Sequence, residues 1–343
     1  MRKVVLSFVI TLAVVIVFAY GGWRSLQSYL DTPLNLTQPR IVMVESGSSF
    51  NRVARRLAAD GVMEKPDWFA FFVRIKKAGH LLKAGEYELV PGTTPKTLLA
   101  QLIAGKIITY NFSIIEGSTF SQLREQLKAN EQIKFTLENQ SDAQLMASLG
   151  LEGQHPEGMF LADTYQFYRG MSDFDLLKRA NALLLSELDK AWQERAKELP
   201  YTSAYEALIM ASIVEKETAL SSERPAIAGV FVQRLNKGMK LQTDPTVIYG
   251  MGDRYKGNIR RADLRRPTPY NTYTISGLPP TPIAMVGREA ILAALHPEKG
   301  KWLYFVAKGD GSHQFSATLA EHNRAVKQYQ LKRRSDYRSS PDQ

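Results

Sequence analysis

Residues 203–220 read SAYEALIMASIVEKETAL and predict a helix that carries a carboxylate on an apolar face. Ser203 and Glu206 have the spacing of a capping box, which marks the helix start. Apolar residues and one acid then recur at helical spacing on one face: Met210, Ile213, Glu217 and Leu220. Poor solvation on such a face favours the neutral carboxyl group and raises its pKa, so that it can donate a proton near neutral pH.

The same helix offers two acids, Glu215 and Glu217, on either side of Lys216. Glu217 follows Ile213 and Val214 by one helical turn, so we expect it to be the drier of the two. The alternative is that both acids lie on a solvated rim with the lysine between them. Helix periodicity alone leaves both interpretations open.

Length and composition limit the class of protein. A chain of 343 residues suits two or three domains, and 44% hydrophobic with 23% charged residues is typical of a globular protein. The absence of cysteine excludes a disulfide scaffold or a thiolate metal site. The net charge of +10 favours nucleic acid, anionic lipid or an acidic polymer as a partner.

The N-terminus predicts a membrane anchor over residues 1–23. Val4–Trp23 carries no charge, and Arg24 ends the apolar run. A helix of about 20 residues spans about 30 Å, one bilayer core. A cleaved signal peptide is the alternative, although its apolar region usually has about 7–15 residues and a small-residue cleavage site. Arg2 and Lys3 favour a cytoplasmic N-terminus, so that the rest of the chain is exported and nucleic acid becomes an unsuitable partner.

An internal repeat follows a predicted linker at residues 24–40. The segment VESGSSF at 44–50 recurs as IIEGSTF at 114–120, 70 residues later. Each copy predicts a short strand, a glycine turn, a Ser or Thr cap and an amphipathic helix. The chain is therefore expected to be α+β, with one small unit at 41–107 and a second small unit that leads into the C-terminal part.

The C-terminal part predicts several helices and a long loop region. We expect helices over 172–198, 226–237 and 288–295, a strand over 303–306 and a helix from about Thr318. Residues 241–287 are rich in proline, glycine and tyrosine, and a loop region of this length inside a domain is usually functional. Residues 331–343 predict a disordered tail.

Two blocks in this loop region carry the candidate binding groups, LQTDPTVIYG at 241–250 and PYNTYTISGLPP at 269–280. Amides suit sugar hydroxyl and N-acetyl groups, and tyrosines can stack on pyranose faces. We predict that five side chains bind substrate: Gln242, Asp244, Tyr249, Asn271 and Tyr273. Asp244 could act as a second carboxylate or, since it precedes a proline, initiate a turn; Asp263 has the same two interpretations.

These segments resemble the endolytic murein transglycosylase, or YceG-like, family. The similarity rests on ASIVEKET at 211–218, on LQTDPTVIYG, on YNTY at 270–273 and on GLPP at 277–280, and it covers most of the chain. It implies a single-pass inner-membrane protein with the N-terminus in the cytoplasm and the bulk in the periplasm. The unit at 41–107 resembles a LysM-like glycan-binding subdomain, although a spacer or protein-docking unit fits its pattern equally well.

The resemblance also implies an activity. A catalytic domain at 108–330 would cleave nascent peptidoglycan strands within the chain, leave 1,6-anhydro ends and end strand elongation, with Glu217 as the catalytic acid and penicillin-binding synthases as partners. One departure is visible, because FLADTY at 160–165 has alanine where the family usually has proline. This change loosens a turn and removes no reactive group, and we expect Asp163 to be a packing or cleft residue.

Two other functions remain open at this stage. A hydrolytic muramidase would use water and two acids, and a glycan-binding scaffold would need no catalysis. The five histidines show no paired metal-ligand spacing, and no phosphate-binding glycine loop is present, so no metal or cofactor is expected.

Overall fold

The computed structural model describes residues 2–45, 47–218 and 220–331. Backbone contacts divide the chain into two compact units. The first comprises the chain up to Tyr110 together with Tyr168–Gly170, and the second comprises the rest of the described chain. Within the described residues the strands pair in twos, so helices with small sheets build both units.

The first unit begins with a long helix and continues as strand, two helices, strand and helix. Its elements are α1 (Arg2–Asp31), β1 (Arg40–Val44), α2 (Phe50–Ala59), α3 (Pro66–Ile75), β2 (Gly85–Leu89) and α4 (Pro95–Ala104). β1 and β2 pair antiparallel, with Val42 opposite Tyr87. Both of these side chains are buried and belong to the core that the helices cover.

Helix α1 does not end where the apolar run ends. The segment Val5–Asp31 is long and apolar enough to cross a membrane. The prediction of a linker from residue 24 is wrong for its first eight residues, because the helix continues to Asp31. Leu26 and Leu30 are buried in the core of the first unit, and this packing holds the last two turns of the helix in place.

The second unit contains the remaining elements. They are β3 (Tyr110–Ser113), α5 (Phe120–Ala129), α6 (Asp142–Ser148), β4 (Thr164–Phe167), α7 (Asp173–Gln193), α8 (Ala204–Glu217), α9 (Arg224–Asn236), α10 (Asp244–Met251), α11 (Arg261–Arg265), α12 (Arg288–Leu295), β5 (Tyr304–Ala307), β6 (His313–Ser316) and α13 (Leu319–Val326). Short 3-10 turns at Ser221–Glu223 and Gly252–Arg254 and a π-helical turn at Lys327–Leu331 complete it.

Both copies of the repeat form the predicted structure. Ser49 and Thr119 cap α2 and α5, and each side-chain oxygen accepts a hydrogen bond from a backbone N–H in the first turn. Gly47 and Gly117 have φ of 76° and 74°, a left-handed conformation that favours glycine. The repeated sequence therefore codes for a strand, a turn and a capped helix at both places.

Helix α8 is the centre of the second unit. It packs against α7, α9, α10 and α12. All nine residues from Ala207 to Glu215 are buried, so the helix is covered on every side and does not have the single apolar face that its spacing predicted. It also ends earlier than expected, at Glu217, because Thr218 is extended (φ −144°, ψ 137°).

The outcome for the remaining elements is mixed. Helices α7, α9, α12 and α13 and strand β5 confirm the predicted elements to within a few residues, whereas β6 was not predicted. The expected loop region 241–287 contains α10 and α11, and Asp244 begins a helix instead of a turn. Of the predicted tail, residues 332–343 lie outside the described residues.

The cap of α5 leads to a first prediction. Thr119→Ala removes the oxygen that accepts from the Gln122 N–H, and the loss of such a cap lowers the free energy of unfolding by about 1 kcal/mol. Urea denaturation of the full-length protein in detergent measures it. The matched control is Ser121→Ala, which changes an exposed side chain in the same helical turn. Equal stabilities of the two variants would contradict the role of the cap.

Candidate active site

The last turn of α8 places three consecutive side chains in three environments. Glu215 points into the protein, and its side chain is 1% exposed. The exposed Lys216 donates to the Gly117 carbonyl oxygen at 2.9 Å, which joins α8 to the turn of the second repeat copy. Glu217 is partly exposed and lines a cavity. Sequence spacing did not predict this division.

Glu215 is part of a buried ion cluster. Its Oε1 lies 2.7 Å from Arg224, and its Oε2 accepts from the Gly287 N–H at 3.0 Å. Arg224, also buried, contacts Glu116 at 3.0 Å and Glu289 at 2.9 Å. One guanidinium thus joins α8, the turn before α5 and α12. By exposed surface Glu215 is more covered than Glu217, and it is compensated by a cation. Burial nevertheless raises the pKa of both acids, so the prediction that Glu217 is the drier one stays a prediction.

Glu217 has the opposite electrostatic environment. The hydroxyl of Thr243 donates to its Oε1, and the other charged group that acts on it is the carboxylate of Asp244. In the described part of the chain no cation pairs with it. Its position at the carboxyl end of α8 also disfavours negative charge. The site therefore favours the protonated form of Glu217.

Burial raises the pKa of Glu217 to about 7; the Thr243 hydrogen bond lowers it and the nearby Asp244 raises it. Burial also raises the pKa of Glu215 to about 7, while the Gly287 N–H and Arg224 oppose that shift. The pKa values therefore do not distinguish the two acids. Access does, since Glu217 faces the cavity and Glu215 faces the ion cluster.

Thr243 is held firmly beside Glu217. Its backbone N–H donates to the Thr272 hydroxyl at 3.1 Å, and its carbonyl accepts from the Thr246 hydroxyl at 2.8 Å. Thr246 and Thr272 are fully buried and bond to each other at 2.8 Å. Because this network fixes the Thr243 backbone, its hydroxyl can orient the Glu217 carboxyl group.

Gln242 has a strained backbone next to the acid. Its φ is 53°, a left-handed conformation that a residue with a side chain rarely adopts. Its N–H donates to the Thr272 carbonyl at 3.1 Å. Arg234 donates to the Leu241 carbonyl at 2.8 Å and lies 3.4 Å from the Gln242 side-chain oxygen. These bonds hold the strained turn in the cavity wall.

The cavity beside Glu217 measures about 490 Å³, large enough for a few sugar residues. Helix α9, the segment 241–244, strands β5 and β6 and helix α13 form its wall. The polar and aromatic side chains of the wall, apart from Glu217, are Phe231, Arg234, Gln242, Thr243, Asp244, Tyr273, Tyr304, Phe305, His313, His322 and Gln330. The Tyr273 hydroxyl donates to Asp244 at 2.7 Å, which joins two predicted binding residues.

The structure brings together three of the five predicted binding residues and separates the other two. Gln242, Asp244 and Tyr273 line the cavity with Glu217, but Tyr249 and Asn271 do not belong to its lining. The Tyr249 ring lies edge-on to Tyr270 with centroids 4.8 Å apart. The buried Asn271 donates to the carbonyls of Asp263, Leu264 and Arg266. Both residues therefore make contacts within the segment 249–271.

The sequence did not single out several wall residues. Arg234 comes from α9, and Tyr304, His313 and His322 come from β5, β6 and α13 near the C-terminal end of the second unit. The His313 ring forms a hydrogen bond with Glu223 at 2.7 Å, and the Arg234 guanidinium lies 5.1 Å from the Tyr304 ring centroid. A histidine after a glycine turn has no distinctive spacing, so no signal was available. Among the described residues no three His, Asp or Glu side chains form a group that could hold a metal ion.

The segment with the alanine departure packs beside the core. Phe160, Ala162 and Tyr165 are buried. Asp163 forms an ion pair with Arg288 at 2.6 Å and does not belong to the lining of the Glu217 cavity. The packing interpretation of this segment fits these contacts.

An acid with a raised pKa and no paired cation, at the wall of a polar and aromatic cavity, fits the class of site in which a single group handles the proton of a bond cleavage. Comparison with known proteins identifies the family in which this site occurs. The sequence model of the YceG-like family matches residues 42–328, which cover parts of both units and every wall residue except Gln330. The chain therefore belongs to the YceG-like family.

Named relatives and a solved structure are similar to most of the chain. The endolytic murein transglycosylase of Bacillus subtilis (strain 168) is 31% identical over 84% of this chain and 84% of its own length. That of Streptococcus pneumoniae (strain D39) is 27% identical over 96% of this chain and 65% of its own length. The crystal structure of a yceG-like protein from Listeria monocytogenes is 32% identical, covers 84% of this chain and 99% of that chain, and has a TM-score of 0.51.

The two acids of α8 are expected to affect stability in opposite directions. Glu215→Gln leaves the buried Arg224 with one partner fewer and lowers the free energy of unfolding by about 3 kcal/mol, the low end for a broken buried pair. Glu217→Gln removes a poorly solvated carboxylate that lacks a cation, and therefore raises stability at pH 8.

The raised pKa of Glu217 determines how the stability gained by Glu217→Gln depends on pH. Folding raises the pKa of Glu217 from 4.5 to about 7, so the folded state binds more protons than the unfolded state between these values. The wild type loses stability as pH rises through this window, and the advantage of Glu217→Gln grows until about pH 7. Urea denaturation from pH 4 to 8 measures it. If the Glu217→Gln variant were less stable than the wild type at pH 8, the assigned environment would be wrong.

Proposed function

We propose that the chain is an endolytic murein transglycosylase. It cleaves the bond between N-acetylmuramic acid and N-acetylglucosamine within nascent peptidoglycan strands, leaves 1,6-anhydro-N-acetylmuramic acid ends and so terminates strand elongation. The observation that carries the proposal is Glu217, a proton donor with a raised pKa at the wall of a cavity of sugar-binding size. The names of the Bacillus and Streptococcus relatives support the same activity.

The first step is protonation of the glycosidic oxygen by Glu217. The acid is protonated at neutral pH because burial disfavours its charge. As the bond between C1 and this oxygen breaks, the proton goes to the departing N-acetylglucosamine hydroxyl, and positive charge develops at C1 of the muramic acid. The muramic N-acetyl oxygen stabilises that charge, and the Asp244 carboxylate adds to the stabilisation from the same wall.

The second step forms an intramolecular bond between the 6-hydroxyl oxygen and C1 of the muramic acid. Glu217, now ionised, takes the proton of the muramic 6-hydroxyl, and that oxygen attacks C1. The new bond makes the 1,6-anhydro ring, and Glu217 is returned to its protonated form. No water is consumed, so the reaction is that of a lyase. One acid that alternates between two protonation states is sufficient, and a pKa near 7 suits both roles.

Three cavity residues position the sugars in this scheme. Gln242 offers its amide, Tyr273 its ring, and Asp244 is oriented by the Tyr273 hydroxyl. Tyr249 and Asn271 act indirectly, since they hold the loops that carry these side chains. Small errors of position cost large rate factors, so the supporting residues affect turnover as well as stability.

The location of the protein is part of the proposal. We infer a single-pass inner-membrane protein with a cytoplasmic N-terminus and a periplasmic bulk; the support is the apolar length of α1 and the basic residues Arg2 and Lys3 before its apolar run. The order β1–α2–α3–β2, with antiparallel pairing of the strands, supports a LysM-like glycan-binding role for residues 41–107. Penicillin-binding synthases, which extend the same strands, are the partners that this location implies.

The catalytic role of Glu217 is tested by Glu217→Gln. The variant keeps the shape of the side chain and its contact with Thr243 but cannot donate a proton, so strand cleavage is expected to fall by at least about 100-fold. Mass spectrometry of glycan strands after incubation with the full-length protein measures both rate and product. The matched control is Asp163→Asn, another acid of the same unit outside the cavity.

The products separate the proposal from its alternatives. Ends with a 1,6-anhydro sugar are expected from the wild type. Reducing ends without that sugar would identify a hydrolytic muramidase. Equal cleavage by wild type and Glu217→Gln would show that the acid is structural, and an absence of cleavage by the folded wild type would favour a glycan-binding scaffold.

The Thr243 hydrogen bond gives a pH test of the same acid. Activity at limiting substrate is expected to fall about tenfold per pH unit above about pH 7, as Glu217 loses its proton. Thr243→Val removes a bond that lowers the pKa of Glu217, so the falling limb moves to higher pH while the maximal rate drops about tenfold through lost orientation. Thr274→Val, whose hydroxyl bonds the Asn271 carbonyl instead, should leave the limb unmoved. An unshifted limb in Thr243→Val would contradict the assignment.

A further inference from the structure

Helix α3 of the first unit carries an apolar face that the unit does not cover. Phe71 is 51% exposed and Ile75 is 43% exposed, and the two lie one turn apart on the same side of the helix. Trp68, one turn before Phe71, is partly exposed on that side. Three large apolar side chains in one stripe are more than scattered surface residues, and such a patch usually contacts a partner or a membrane.

This face lies beside the candidate membrane helix. An apolar cavity of about 430 Å³ is walled by residues of α1 and by the start of α3: Ala19, Gly22, Trp23, Leu26, Asp67, Trp68 and Phe71. The Tyr29 and Trp68 rings meet edge-on at 5.8 Å, and Leu26 and Leu30 are buried in the core of the unit. These contacts join the last two turns of α1 to the unit that carries α3.

The sequence of α1 indicates the depth of this cavity in the bilayer. The apolar run ends at Trp23, and Arg24 is the first charge after it. If the hydrocarbon core takes about 20 residues of helix, Trp23 and Arg24 mark the far boundary of the bilayer. Tryptophan is preferred at that boundary. Trp68 and Phe71, which share a cavity with Trp23, then stand at headgroup depth.

The charges around the stripe suit the same location. Four exposed basic residues lie before and after it: Lys65, Arg74, Lys76 and Lys77. Two exposed acids, Glu64 and Asp67, accompany them, so the local balance is positive. The Lys65 ammonium lies 4.5 Å from the Trp68 ring, an arrangement of aromatic body and cationic head that fits a membrane interface.

We propose that α3 lies in the interfacial layer of the bilayer that α1 crosses, with Trp68, Phe71 and Ile75 inserted among the lipid headgroups. The proposal rests on the inferred membrane crossing of α1. It adds a second contact with lipid, through α3, which places the first unit on the membrane surface. Continuity of the α3 face with the membrane-level part of α1 identifies lipid as the occupant, and the basic residues favour anionic headgroups.

The absence of native cysteine allows a direct test, since a single introduced cysteine carries one label. Full-length Phe71→Cys is labelled with an environment-sensitive fluorophore and reconstituted into two sets of vesicles of phosphatidylethanolamine and phosphatidylglycerol. One set contains lipids with a nitroxide at the headgroup, and the other contains lipids with a nitroxide deep in the acyl chain. The matched controls are Ile41→Cys and Val90→Cys, which label exposed apolar positions of the same unit (57% and 44% exposed). Val14→Cys labels the middle of α1.

The label at residue 71 is expected to shift to the blue and to be quenched at least threefold more than the labels at residues 41 and 90. If the label at residue 14 is quenched by deep nitroxides while that at residue 71 behaves like the controls, the interfacial position of α3 is wrong. The membrane crossing of α1 is then still supported. A blue-shifted but unquenched label at residue 71 indicates that the label is covered by protein, within this chain or by a second copy of it, and overturns the proposal. If the label at residue 14 is also not quenched by deep nitroxides, α1 does not cross the bilayer and both inferences are wrong. Near-UV circular dichroism verifies the fold of each variant.

Discussion

The buried guanidinium of Arg224 is the interaction on which the second unit depends. It contacts Glu215 at the end of α8, Glu116 in the turn before α5 and Glu289 at the start of α12. A buried carboxylate such as Glu215 is tolerated only with a cation and hydrogen bonds, and both are present. Because three elements meet at one charge, the carboxyl end of α8 has a defined position, and Glu217, two residues further, is held where the cavity opens.

The two acids of α8 have different roles, which require opposite electrostatic environments. Glu215 stabilises the fold because its charge is compensated, whereas Glu217 can handle a proton because its charge is not. The surrounding network, in which Thr243, Thr246 and Thr272 bond one another, fixes the backbone of the residue whose hydroxyl donates to Glu217. A strained Gln242 belongs to the same wall, and strained backbone is typical of functional sites held by well-satisfied surroundings.

Local signals in the sequence predicted local structure well. The repeat, the caps at Ser49 and Thr119 and the limits of α12 depend on neighbours within one turn, and all three agree with the structure. The errors came where tertiary packing decides. Residues 24–31 are helical because Leu26 and Leu30 pack in the core of the first unit. Helix α8 is buried on every side because other helices surround it.

By itself the sequence determined the membrane-length helix, the repeated units, the central acid-bearing helix and the blocks that contain Gln242, Asp244 and Tyr273. Only the tertiary structure decided which acid is compensated, since Arg224 reaches Glu215 from another helix. It alone also separated Tyr249 and Asn271 from the cavity and brought in Arg234, His313 and His322. The physical reason is that helical spacing predicts which side chains share a face, whereas burial, charge pairing and access to a cavity depend on how separate elements pack together.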